Sequence, residues 1–122
     1  MLESSTPRRR RRSERTLLII ELHETLTAVD IHLPDWQAQA RFLYAKATRS
    51  AAIRNTPQLL KDVERLRAKA ISAREVLEQK TDQLSPRARM DSRVADRFRA
   101  LDCVVTTLDQ IAAMWSSSQR PN

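Results

Sequence analysis

A chain of 122 residues with no glycine and five prolines has few ways to turn. Glycine is the default residue for tight turns, β-bulges, phosphate-cradling loops and left-handed helix caps. Its absence argues against β-hairpins, P-loops and dinucleotide-binding fingerprints together. What remains is a set of helices whose connections are built from other residues. Pro34, Pro57 and Pro86 stand between apolar-periodic segments and mark where those connections are expected.

The segments read as four helices. Leu18, Leu22, Leu26, Val29 and Leu33 recur at spacings of four and three, one face of a first helix near 14–33, with Ser13 as its N-cap. Pro34 is expected to end it, because the residue before proline avoids α geometry. Asp35 then caps a second helix, 36–54, with the stripe Trp36, Ala40, Leu43, Ala47 and Ala51 and with Asn55 as its left-handed C-cap. Thr56-Pro57 opens a third, 57–84, whose seam runs Leu59, Val63, Leu66, Ala70, Ala73, Leu77, Thr81 and Leu84. Ser85-Pro86 repeats the signal for a fourth, 86–116, with Val94, Phe98, Leu101, Val105, Leu108, Ala112 and Trp115; Asp91-Ser92 is an alternative start.

Short connections between four helices predict an all-α, antiparallel up-down-up-down four-helix bundle with two longer C-terminal helices. Residues 14–117 form the bundle, 1–13 a disordered arginine-rich tail and 118–122 a second tail. The expected core includes Trp36, Leu66, Leu77, Phe98, Leu101, Val105 and Leu108. The surplus length of the third and fourth helices exposes a seam, so a homo-oligomer is expected.

Charge is uneven. Residues 1–15 hold six arginines against Glu3 and Glu14, a balance of +4, while the other 107 residues carry +3. Arginine outnumbers lysine 18 to 4, and its planar fork suits phosphate. The candidate nucleic-acid-binding residues are the run Arg8, Arg9, Arg10, Arg11 and Arg12, then Arg41, Lys46, Arg49 and Arg54 of the second helix. Two ridges at i, i+4, i+8 complete the set, Lys61-Arg65-Lys69 and Arg89-Arg93-Arg97. Phosphate contacts of this kind give salt-sensitive, sequence-independent affinity to RNA or DNA. Aromatic residues make up only 4%, too few for a base-stacking platform, so contact is to backbone and shape.

Catalytic signatures are missing. His23 and His32 are nine residues apart and face opposite sides of a helix. Cys103 lies beside the Leu101/Val105 stripe and is expected to be a half-buried, inert thiol. No catalytic triad, zinc spacing or phosphate loop is present, so no enzyme activity, metal or cofactor is expected. A single cysteine permits no disulfide within the chain and favours a cytoplasmic setting. No apolar run approaches the ~20 residues of a membrane span, and Leu17–Ile20 is followed at once by Glu21, His23 and Glu24, unlike a signal peptide.

Three elements resemble the small four-helix-bundle family that includes the accessory variability determinant proteins of diversity-generating retroelements and the proteins encoded in ribosomal-RNA intervening sequences. They are Leu33-Pro34 leading into Arg41, Leu43 and Arg49; Leu59-Leu60 with Leu66-Arg67; and the closing stretch Leu108 to Trp115. The resemblance spans about residues 16–117. Ala112, Ser116 and Ser117 stand where that family has glycine, and the arginine run is outside its pattern. The resemblance implies a basic pentamer that binds RNA or DNA and a reverse transcriptase without catalysing the reaction. Two other readings fit the residues: a structural small subunit of an RNA-guided complex, and a helical protein-interaction module or chaperone that binds no nucleic acid.

Overall fold

The structure is a computed structural model that describes the backbone of residues 6–119 and the side chains of residues 13–115. Among these residues the regular elements are all helical, and four α-helices pack together. They are α1 (Thr6–Arg49), α2 (Ala51–Arg54), α3 (Pro57–Leu84) and α4 (Ser92–Gln119), with a 3-10 turn at Pro86–Met90 before α4. These are not the four helices the spacing predicts. One helix of 44 residues takes the place of the first two, and α2 is a single turn. The two C-terminal helices, 28 residues each, are therefore the shorter ones.

Proline 34 sits inside α1 and does not end it. The reason lies in the apolar seam. Leu22, Leu26, Val29, Leu33, Trp36, Ala40, Leu43 and Ala47 keep alternating steps of four and three straight across the proline, and all of them join the core or pack against it. An interior proline costs about 3 kcal/mol, whereas burying a single Leu or Val contributes ~1.5–3 kcal/mol. A break at residue 34 would throw the following half-seam out of line with the first. Pro34 is exposed, so the lost hydrogen bond falls where water is at hand. Asp35 consequently caps nothing and accepts a hydrogen bond from Gln39 Nε2 at 2.7 Å instead. At its other end α1 begins at Thr6, so its backbone takes in residues 6–13, which the composition assigns to a disordered tail.

The turns are made without any left-handed residue among those described. Extended residues do the work. Ser50 (φ −147°, ψ 124°) leaves α1 and caps α2, its Oγ accepting from Ile53 N at 3.4 Å. Asn55, expected to be left-handed, has φ −88°. Thr56 is extended and places Pro57 in the first turn of α3. Arg54 Nη1 donates to the Ala47 carbonyl at 3.1 Å, satisfying one of the orphan acceptors at the end of α1. In the second connection, extended Ser85 leads into Pro86, and Asp91 Oδ1 accepts from the backbone N–H of Arg93 (3.0 Å) and Val94 (3.4 Å). Asp91 is thus the working N-cap, and α4 starts at Ser92 rather than at residue 86.

Cross-helix pairs order the helices. Glu21 of α1 meets Lys80 of α3, while Gln39–Lys46 share a groove with Asp62–Lys69. On the other side, Asp30 meets Arg93 and Arg97, and Gln37–Arg41 line a groove with Ala100–Thr107. At 1.5 Å per residue α1 is ~66 Å long against ~42 Å for α3 and α4. The surplus length belongs to the N-terminal part of α1, not to α3 and α4.

Leu66, Leu77, Leu101 and Leu108 are buried as expected, with Val63, Val94 and Ile111. On α4 the seam is rotated slightly: Val104 is buried, while Phe98 and Val105 only pack against the core, as does Trp36. Cys103, expected to be half-buried, is exposed.

Two substitutions test this arrangement. Leu101→Ala should cost about 2–5 kcal/mol by chemical denaturation. Pro34→Ala should raise stability by about 1–3 kcal/mol, because it restores a helix-interior hydrogen bond. A proline that ended the helix would instead leave stability unchanged or reduced on replacement.

Candidate nucleic-acid interface

The basic side chains fall into two groups, sorted by where the acids lie. Toward the N-terminal half of α1, the C-terminal half of α3 and the start of α4, most bases are paired, Arg15 and Arg87 being the described ones in no ion pair. Arg74 bonds Asp102 (2.6 Å) and Glu78 (2.9 Å), Arg89 bonds Glu78 (2.7 Å) and Asp82 (3.3 Å), and Lys80 bonds Glu21 (3.2 Å). Arg74 and Arg89 also stand 5.3 and 5.4 Å from the Phe98 ring centroid, a cation–π clamp on the half-buried aromatic. Asp30 receives both Arg97 and Arg93, and Arg93 Nη1 lies 3.3 Å from His23 Nδ1. The expected ridge Arg89-Arg93-Arg97 therefore does not form one helical row. Arg89 belongs to the 3-10 turn, and all three arginines hold α1, α3 and α4 together.

Toward the connection between α1 and α3 the acids run out. Residues 36–69 contain eight bases against Asp62 and Glu64. Arg67 reaches Asp109 at 2.6 Å. Among the described residues, Arg41, Lys46, Arg49, Lys61, Arg65 and Lys69 are in no ion pair. Lys46, Arg65 and Lys69 line one groove between α1 and α3 with Gln39, Phe42 and Asp62, a space of about 270 Å³. Lys46 lies 4.5 Å from the Phe42 centroid, so an exposed aromatic orients the ammonium. Lys61 and Arg49 are exposed near this end, and Arg54 is committed to the end of α1. Arg41 faces the α4 side, in the groove with Cys103 and Thr107. The side chains of Arg8, Arg9, Arg10, Arg11 and Arg12 lie outside the described residues.

Lys69 also borders a larger, mainly apolar groove of about 760 Å³ between α1 and α3, floored by Val29, Trp36, Ala73 and Val76. His32 stacks on Trp36 there, with centroids 5.6 Å apart and planes 12° from parallel, while His23 sits on the α4 side. Among the described residues no group of three His, Cys, Asp or Glu side chains is arranged to hold a metal ion, and no helix is long and apolar enough to cross a membrane.

Residue spacing alone missed Gln39 and Phe42. Phe42 lies off the core stripe, and at 60% exposure its role is on the surface. The signal was there in its position opposite Leu33 and Ala40.

The hydrogen bond from Arg97 holds the Asp30 carboxyl below the usual carboxylate range; burial opposes this, and Arg93 adds to it. A lowered folded-state pKa contributes stability above the unfolded value, near 3.8, and that contribution is lost as pH falls through the folded value. Asp30→Asn should thus cost about 1 kcal/mol at neutral pH, a modest figure for a pair partly open to water. Its stability curve should meet that of the parent chain at low pH. Parallel curves down to strong acid would show that the pair does not couple to folding. Comparison with protein-family models, curated proteins and solved structures gave no match for this chain.

Proposed function

We propose that the chain is a non-enzymatic protein that binds the phosphate backbone of RNA or DNA through its basic end, as an accessory subunit of a nucleic-acid-processing complex such as one built around a reverse transcriptase. The observation that carries this reading is the sorting of charge. The acids neutralise Arg74, Lys80, Arg89, Arg93 and Arg97 within the fold, and six bases around the α1–α3 connection are left to solvent. Unneutralised charge attracts polyanions at long range and releases counterions on contact. The reading takes the long helices as an up-down-up bundle, the sense in which the cross-helix pairs run. Arg8–Arg12 stand near the opposite end of α1 and form a separate basic segment, and no base-reading element is required.

Binding of a labelled RNA or DNA of mixed sequence, followed by fluorescence anisotropy between about 50 and 200 mM salt, tests the proposal. Affinity should fall steeply with salt and vary little with sequence. Changing Lys61, Arg65 and Lys69 to Gln should lower the slope of log affinity against log salt by about 2–3, at ~0.7–0.9 per phosphate lost. Changing Arg93 and Arg97 to Gln should leave the slope nearly unchanged and lower the melting temperature instead. Removing residues 1–12 should weaken binding to all sequences alike. The reverse ranking of the two variants sinks the basic-end assignment. No binding at about 50 mM salt removes nucleic acid altogether and leaves the apolar α1–α3 groove, and hence a protein partner, as the better reading.

A further inference from the structure

Three of the unpaired bases share one groove, and an exposed aromatic ring stands among them. Helix α1 contributes Gln39, Phe42 and Lys46, and α3 contributes Asp62, Arg65 and Lys69, each set stepped by three and then four. The floor is Leu43 and Leu66, both buried in the core, so the packing of the two helices fixes its shape. Among the described residues Lys46, Arg65 and Lys69 are in no ion pair. Asp62 is the one acid in the lining; its Oδ1 accepts from Gln58 Nε2 at 2.9 Å, a neutral partner that leaves the carboxylate charge in place. Three bases against one acid leave the groove at +2. Its volume, about 270 Å³, is just below the ~300–1,000 Å³ of sites that enclose a drug-sized ligand. It suits one flat group and the charges attached to it.

Phe42 is the feature that phosphate contacts leave unexplained. Single exposed apolar side chains are ordinary, so its exposure decides nothing; its position does. Lys46 Nζ lies over the ring, 4.5 Å from the centroid, and occupies one face of it. The side chain is still 60% exposed. A cationic groove with an aromatic ring beside it is how proteins hold single strands: the cations take phosphates and the ring stacks a base. In a duplex the bases stack on one another and offer only their edges to the grooves, so the ring finds no π face. We infer that the groove between α1 and α3 is a subsite for one unpaired nucleotide, its base stacked on Phe42 and its flanking phosphates on Lys46, Arg65 and Lys69. The inference rests on the phosphate-binding reading above and adds to it that the nucleic acid is single-stranded there. Beyond Lys69 the space between the helices becomes mainly apolar and is bordered by Glu21 and Glu24, which repel phosphate, so one base is stacked and not a run. Every base has a π face, and the stack therefore reads no sequence.

Anisotropy titrations of the full chain test this with a labelled strand of mixed sequence, alone and annealed to its complement, at about 50 mM salt. Backbone charge by itself favours the duplex, which carries one charge per ~1.7 Å of axis. Stacking reverses that order, and the single strand should bind more tightly. Phe42→Ala should lower the ratio of single-strand to duplex affinity about fivefold or more, with helicity by circular dichroism unchanged because the residue is exposed. Phe42→Trp should keep the ratio, since any aromatic face serves. Lys46→Gln should weaken both forms and lower the salt slope by about one phosphate's worth, ~0.7–0.9. A parent chain that prefers the duplex overturns the inference. So does a Phe42→Ala loss equal on both forms, which would reduce the ring to a support for Lys46, or an equal fall in the ratio with Phe42→Trp. Each of these leaves the basic-end reading standing. No binding of either form removes that reading and the subsite with it.

Discussion

Everything else in this structure rests on one seam, the apolar row of α1 that passes Pro34 without losing step. Two half-helices joined at residue 34 would each bury about four side chains and pay separately for orienting them. One continuous helix orients all eight together and gives both α3 and α4 a template of the same length. The proline penalty is fixed at one hydrogen bond and one steric clash, whereas the seam grows with every turn it crosses. The cost is accepted because the proline faces water. The same argument explains why α3 and α4, with no proline in their interiors, need only match the part of α1 that they cover.

Charge is the second organising term, and it is spent unevenly. Fifteen acids cannot neutralise 22 bases, so their positions decide which surplus is seen from outside. Asp30, Glu78 and Asp102 each stand where helices must be joined, and each takes one or two guanidinium groups. Arginine suits this work because its fork serves two acceptors at once, as Arg74 does between Asp102 and Glu78. Lysine is scarce, and of its four copies only Lys80 is in an ion pair among the described residues. The other three lie toward the α1–α3 connection, where acids are few. Fold stability and surface potential thus draw on the same residue types but on different ends of the molecule.

Helical content and the α3 seam were legible in the sequence because both depend on local pattern. Thr56-Pro57 marked the start of α3 correctly through the proline, whose fixed φ suits a first helical turn; the Thr56 hydroxyl caps nothing in α3 and donates to the Ile53 carbonyl at 2.7 Å. Pro34 misled because proline carries two opposite meanings, a boundary where the apolar pattern resets and a tolerated guest where it does not. The pattern did not reset: Leu33 to Trp36 is a step of three and Trp36 to Ala40 a step of four. The basic positions were legible as residues but not as a surface. Spacing put Arg89, Arg93 and Arg97 in a row equal to Lys61, Arg65 and Lys69, yet their acidic partners Asp30, Glu78 and Asp82 come mostly from other elements. Partners distant in sequence leave no trace in local periodicity.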